Sequence, residues 1–404
     1  MSVDSTEASG LSSALHAQTR AVHSATPADT TGSHPLSTPI HQSSAFSFDS
    51  ADALAEAMAG PDGAASYSRR GNPTVRALER ALAGLEGGAA ALATASGMGA
   101  VSAVLLSLLR PGDHVVAQRC LYGGTHSVLA DLAERFGIEV DRVSGARAAE
   151  LAAVLRPRTR LLLVETVANP TCEVADLPAL FGLARRHGVL CVVDNSLASP
   201  LLCRPIEHGA DIVLHSTTKY LAGHSDVIGG AAVFADRELY GSVWRRAVEL
   251  GSTAAPFAAW LTLRGIQTLP LRMRQHCENA AVLARRLALR PEVEAVRWPW
   301  LPGHPSYAVA RRLLAGGGGM LSFDLAGGRA AGREFVEGVR LARIALSLGG
   351  VETLVTHPAS TSHRELDAQA LRVAGVGAGT VRMSVGLEHV EDLWRDVEQA
   401  LEGL

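Results

Sequence analysis

Asp211-Ile-Val-Leu-His-Ser-Thr-Thr-Lys219-Tyr-Leu-Ala-Gly-His-Ser-Asp226 is the stretch on which the reading of this 404-residue chain turns. A short apolar run, Ile212–Leu214, predicts a strand. It runs into three hydroxyls, Ser216, Thr217 and Thr218, and Lys219 follows at once before Gly223 breaks the chain. Lys219 is also the only lysine: Lys and Arg together number 37, and the other 36 are arginine. Codon bias with one chance survivor would leave the same count. The neighbours argue otherwise, because Arg stays protonated and cannot act as an amine nucleophile, whereas a desolvated Lys can lose its proton and form a Schiff base.

Hydroxyls beside a reactive lysine suit a phosphate, since they donate hydrogen bonds without bringing a competing charge. Twenty-five residues upstream, Val189-Leu-Cys-Val-Val-Asp194-Asn195 reads as a buried strand ending in a carboxylate. Such an Asp is often a plain cap of the next loop. Paired with Lys219 it fits pyridoxal 5'-phosphate, whose pyridine nitrogen needs a carboxylate to stay protonated and keep the ring an electron sink.

Around this pair the pattern alternates. His114–Gln118, Ile138–Val143, Arg160–Glu165, Val189–Asp194 and Ile212–Leu214 read as strands. Thr74–Glu86, Met98–Arg110, Val128–Phe136 and Leu177–His187 read as helices. Strands alternating with helices predict an α/β fold with a mostly parallel sheet sandwiched by helices, whose ligands sit at the carboxyl ends of strands. Residues 1–65 form an N-terminal arm, disordered in its first part. Residues 66–270 form the large cofactor domain, and 271–404 a smaller C-terminal α+β domain. A helical region over 256–290 is expected to break at Gly265 and Pro270, and Gly316–Gly319 to be a flexible connector into a strand at Met320–Leu325. Val390–Leu401 closes the chain as an amphipathic helix.

Composition narrows the function. Hydrophobic residues make up 47% and charged residues 19%, so an ordinary core is available. A net charge of −3 gives no case for nucleic acid or a membrane surface as partner. Apolar runs such as Ala100–Leu109 are too short to span a bilayer. Five scattered cysteines and no basic-then-apolar N-terminus point to the reducing cytoplasm. His215, His224 and Asp226 match no zinc-ligand spacing, so no metal is expected.

The chain resembles the transsulfuration, or Cys/Met-metabolism, family of fold-type I pyridoxal-phosphate enzymes from about Leu36 to its end. The resemblance rests on Tyr67-Ser-Arg-Arg-Gly-Asn-Pro-Thr74, Ala95-Ser-Gly-Met98, Tyr122-Gly-Gly-Thr125, Glu165-Thr-Val-Ala-Asn-Pro170, Val193-Asp-Asn195, His215–Tyr220, Gly223-His-Ser-Asp226, Leu346-Ser-Leu-Gly-Gly350 and Val381–Glu388. It implies that Lys219 carries the cofactor and then moves protons on the substrate. It places Asp194 at the pyridine nitrogen. Ser216, Thr218 and the Gly97 and Met98 amides go to the phosphate. Tyr67 and Arg69 would serve the phosphate of a neighbouring subunit. Tyr122 would stack on the ring and help the leaving group, and Arg382, Asn169 and the Ser347 backbone would bind the substrate carboxylate. The resemblance also implies a homo-oligomer, an active dimer with shared sites and dimers pairing into a homotetramer, acting on a small amino acid.

The chain also departs from the family pattern. Members that act on cystathionine carry an Arg five residues after the stacking tyrosine and a Glu just before the serine of Ser-Leu-Gly-Gly. Here those positions hold Ser127 and Leu346. Leaving the far ammonium and carboxylate of cystathionine unpaired would cost several kcal/mol, on the order of the penalty for burying unpaired polar groups. Methionine γ-lyases share the apolar second position but carry a Cys where Gly124 stands, and Val167 replaces a usual proline. The implied activity is γ-elimination on a small γ-substituted L-amino acid, with methionine or homocysteine as first candidates. A non-sulfur leaving group such as a halide fits about as well. γ-Replacement on an O-acylhomoserine is the alternative.

Overall fold

A computed structural model describes residues 15–24, 35–361, 364, 369, 371 and 375–404. Among the described residues the strands are β1 (Ala90–Thr94), β2 (His114–Gln118), β3 (Glu139–Val143), β4 (Thr159–Glu165), β5 (Leu190–Asp194), β6 (Ile212–His215), β7 (Gly230–Phe234), β8 (Val293–Arg297), β9 (Met320–Leu325), β10 (Arg343–Ile344), β11 (Leu354–Thr356) and β12 (Thr380–Ser384). The chain forms two compact units, Met1–Arg110 with Arg204–Pro270, and Pro111–Cys203 with Leu271–Leu404.

In the first unit β7 lies between β1 and β6 and runs antiparallel to both. Helix Pro73–Glu86 starts where the Asn72 side chain accepts from the Thr74 and Val75 amides, with Pro73 at the first turn, and stops at Gly87 with φ +78°. Helix Gly97–Leu108 is capped by Ser96, whose side chain accepts from the Gly99 amide. Within the arm, Ala17–Val22 is helical. Ala21 is fully buried, and the Arg20 guanidinium donates to the Gly84 carbonyl at 2.6 Å. The rest of the expected disordered stretch, 1–14 and 25–34, lies outside the described residues.

Helix Pro256–Leu287 corrects one expectation, for it runs 32 residues without a break. Gly265 is there for contact. A Cβ on it would lie 2.2 Å from the Ala222 carbonyl oxygen, in the loop that follows Lys219. Pro270 is carried inside the helix, at the cost of one backbone hydrogen bond, between the buried side chains of Ile266, Leu269 and Met273. Its length does not make it a membrane span: no described helix is long and apolar enough to cross a bilayer.

In the second unit β5, β4, β2 and β3 follow one another in that order, all parallel. β2 and β5 read as continuous apolar runs because helices cover both faces of a parallel sheet. The other sheet is ordered β10-β11-β12-β9-β8, mostly antiparallel, over a core that includes Phe323, Phe335, Leu393 and Val397. Gly316–Gly319 is a second correction. The Trp298 indole donates to the Gly318 carbonyl at 2.9 Å, and a Cβ at Gly317 would strike the indole ring at 2.2 Å. The glycines form a fitted seat for Trp298, not a loose connector.

This unit also predicts a pH effect. His276 is fully buried, with Nδ1–H donating to the Val385 carbonyl at 2.6 Å. Burial, with Arg272 adding to it, pushes the imidazole down to about 4. The unfolded value is about 6.5, so between the two the unfolded chain binds the extra proton. Stability is therefore full above about pH 6.5 and falls toward pH 4, by about 3 kcal/mol in all. His276→Gln should flatten the pH dependence of the urea midpoint across that window. An unchanged slope in the variant rules this histidine out.

Candidate active site

Each unit carries one set of the expected site residues. In the first, β6 ends at His215 and delivers Ser216, Thr217, Thr218 and Lys219 into a turn closed by the Lys219 amide on the Ser216 carbonyl at 3.1 Å and the Gly223 amide on the Lys219 carbonyl at 2.9 Å. Gly97, at the head of helix Gly97–Leu108, lies against Ser216: a Cβ there would come within 2.9 Å of the Ser216 Cβ. No acidic residue occupies that helix's first turn, so its amides and positive dipole end face the hydroxyl cluster unopposed. Gly97 and Ser216 thus lie side by side at the head of that helix, with Met98 next in its first turn. The Thr218 hydroxyl is engaged, donating to the Gly229 carbonyl at 3.1 Å and accepting from the Gly229 amide at 3.0 Å. Tyr67 and Arg69 lie together, the guanidinium 5.6 Å from the phenol ring centre and donating to the Val248 carbonyl at 2.9 Å. Tyr67 keeps 46% of its surface exposed.

β6 is anchored by a contact the sequence did not reveal. His215 Nε2 and Glu86 Oε1 meet at 2.6 Å with both side chains buried. His224 instead turns Nδ1–H onto the Ala222 carbonyl at 2.7 Å. Neither histidine shares a metal-like cluster, and no group of three or more His, Cys, Asp or Glu could hold an ion among the described residues.

In the second unit Asp194 ends β5, and its Oδ1 accepts from the Ser196 amide at 2.9 Å. Its register partner on β4 is Glu165. Glu165 is 3% exposed and opens the Glu165–Pro170 motif, which by itself assigns it no role. One of its oxygens accepts from the Tyr122 amide at 2.5 Å, the other from the Asn169 amide at 3.2 Å. Burial, then the nearby Asp194 charge, raises its carboxyl well above the ordinary range, while the two amides pull it back. Tyr122 starts helix Gly123–Phe136 and is 51% exposed. The carboxyl therefore lies at the positive end of that helix, whose dipole also favours its ionised form.

Arg382 lies on β12, 8% exposed, and donates to the Ser347 carbonyl at 2.7 Å. Ser347 has φ +97°, a conformation rare for a residue with a Cβ. Leu346 beside it is 67% exposed. The Ser127 hydroxyl donates to the Gly123 carbonyl of its own helix at 3.1 Å. A carboxylate closing the apolar run Leu161–Val164 was the available signal for Glu165, as Asp194 closes Leu190–Val193.

A family model described as Cys/Met metabolism PLP-dependent enzyme matches residues 18–402. The chain is 41% identical over 388 residues to the L-methionine gamma-lyase of Porphyromonas gingivalis, covering 96% of this chain and 97% of that one. It is 42% identical over 402 residues to the cystathionine gamma-synthase of Mycobacterium tuberculosis, covering 99% of this chain and all of that one. Among solved structures it is similar to the cystathionine gamma synthase of Xanthomonas oryzae pv. oryzae in complex with cystathionine, with TM-score 0.90, 42% identity and 96% and 98% of the two chains covered. The cystathionine gamma-lyase of Lactobacillus plantarum complexed with L-serine gives TM-score 0.90 at 34% identity, covering 96% and 99%.

Proposed function

The chain belongs to the Cys/Met metabolism family of pyridoxal-phosphate-dependent enzymes, and from that premise we propose that it eliminates a small γ-substituent from an L-amino acid. The observation behind this reading is the pairing of Leu346 with Ser127. An exposed apolar side chain adjoins the carbonyl that orients Arg382, and the Ser127 hydroxyl is turned onto its own helix. Neither position supplies a charge for a zwitterionic far end, so a compact or apolar γ-group fits better.

When bound, pyridoxal phosphate supplies the electron sink that lets a proton leave the substrate's Cα. In the proposed arrangement Ser216, Thr218 and the Gly97 and Met98 amides would hold its phosphate, and Asp194 would pair with its ring nitrogen. Arg382 grips the substrate carboxylate as a fork, with the Asn169 side chain and the Ser347 backbone beside it. The Lys219 amine takes the proton from Cα and moves protons at Cβ and Cγ. The Tyr122 phenol gives a proton to the departing γ-group. Small γ-substituted amino acids should release ammonia and a 2-oxo acid with no second substrate added. Leu346→Glu with Ser127→Arg should shift the ratio of kcat/KM toward cystathionine by roughly tenfold to a hundredfold, each ~1.4 kcal/mol being tenfold. A parent enzyme that already prefers cystathionine over methionine and homocysteine sinks this reading.

γ-Replacement is the second reading, and the full-length match to the cystathionine gamma-synthase of M. tuberculosis favours it. Product formation that requires an added thiol would select it.

We also propose an active dimer in which Tyr67 and Arg69 serve the neighbouring chain's phosphate, with dimers pairing into a tetramer. The exposed Tyr67 ring beside Arg69 supports that reach. Mixed Arg69→Ala and Lys219→Ala chains should then recover activity from one intact site per hybrid dimer. Proven hybrids without activity would return both residues to their own chain. None of the five cysteines forms a disulfide, which suits the cytoplasm as its place.

A further inference from the structure

We infer that Glu165 is a positioning residue that sets two site residues at once, the tyrosine at the ring and the asparagine at the substrate carboxylate. The inference rests on the roles proposed for Tyr122 and Asn169. Both side chains leave loops after strand ends, and loops by themselves hold a side chain less firmly than a strand does. Glu165 supplies the missing rigidity. It closes β4, and its own amide donates to the Gln118 side chain at 2.8 Å, which ties it to the end of β2. Its two oxygens then divide the work, one on the Tyr122 amide at 2.5 Å and one on the Asn169 amide at 3.2 Å. The first contact joins residues 43 apart in sequence and the second joins residues 4 apart.

Accepting from both amides calls for the ionised carboxylate, which offers two acceptor oxygens and no donor, and the two N–H groups favour that form against burial and the Asp194 charge. A glutamine of the same shape keeps one oxygen and turns an NH2 group against the other amide, leaving a donor facing a donor. At 3% exposure no bulk water can relieve that. Asp194, the register partner on β5, lies beside the same carboxyl, so the clamp and the residue proposed for the ring nitrogen share one patch of sheet.

The test is Glu165→Gln in the holoenzyme, read by hydrogen exchange and by kinetics. Exchange should quicken in peptides carrying the Tyr122 and Asn169 amides and stay unchanged along β9 and β12. kcat/KM per bound cofactor should fall about tenfold to a hundredfold, the scale of a lost hydrogen bond to a charged group, with KM carrying much of the loss through Asn169. In an Asn169→Ala background the same change should cost clearly less, because part of its effect has already been removed. Should Glu165→Gln not fold, Glu165→Asp replaces it: it keeps the charge but is a methylene too short to reach both amides. Unchanged exchange at the two amides, or a full additive loss in the Asn169→Ala background, overturns the inference. Asn169→Ala and Tyr122→Phe with parental kcat/KM would instead overturn the proposed roles, whatever the exchange at Glu165 shows.

Discussion

Lys219→Arg is expected to abolish turnover while the protein still folds, with kcat lowered by about 10²–10⁴-fold or more, the range that one proton-transfer group supplies. The substitution keeps the positive charge and nearly the length of the side chain. What it removes is an amine that can be deprotonated. The surrounding turn should survive, because its hydrogen bonds run through the backbone of Ser216, Lys219 and Gly223. A purely electrostatic role for Lys219 would therefore leave most of the activity in place. A second readout is independent of rate. Borohydride should fix the cofactor to the parent protein at Lys219, and since the chain holds no other lysine, the N-terminal amine is the sole competing amine. Label on the N-terminus, or multiple turnover by Lys219→Arg within tenfold of the parent, defeats the assignment.

The strands with an apolar centre and a polar last residue were the legible part of this fold. β2, β4 and β5 are apolar runs with sharp ends, and burial on both faces leaves such runs no alternation to confuse. β1 escaped notice because Ala-Ala-Leu-Ala-Thr has little strand preference. It forms because β7 pairs along its whole length and helix Pro73–Glu86 packs nearby. The antiparallel course of β7 was hidden as well, since strand direction follows from topology and leaves no mark in a five-residue run. Helix Gly123–Phe136 was expected to begin at Val128. It begins five residues earlier, at two glycines that sequence alone reads as breakers, with the Tyr122 amide held by Glu165. Gly265 misled for a related reason: a glycine needed for a 2.2 Å close approach looks the same in sequence as one that ends a helix. At the site, residue types were readable from their motifs. The partners that hold them, Glu165 for Tyr122 and Glu86 for His215, lie 43 and 129 positions away in the chain, and no local spacing encodes them.

Arg382→Ala should raise KM for every amino-acid substrate by about a hundredfold or more, since truncating one partner of a buried charged pair typically costs about 2–5 kcal/mol. The guanidinium reaches the site from β12, with Ser322 and Thr356 as register partners on β9 and β11, so its backbone is fixed before any substrate arrives. Its hydrogen bond to the Ser347 carbonyl fixes the side chain as well. That pre-organisation means little of the binding energy is spent on ordering the fork. Arg382→Lys sharpens the test. A lysine keeps the charge but loses the planar fork, so it should recover only a small part of the loss. Cofactor content should stay near that of the parent in both variants, which separates a substrate contact from a cofactor contact. The prediction distinguishes the proposed carboxylate grip from the γ-end of the pocket: methionine, homocysteine and O-acylhomoserine should all weaken by a similar factor, because the carboxylate proposed as the partner of Arg382 is common to them. A loss confined to one of these substrates would place Arg382 at the γ-substituent instead, and the pocket would then have to be read in the opposite direction, with Leu346 nearer the carboxylate.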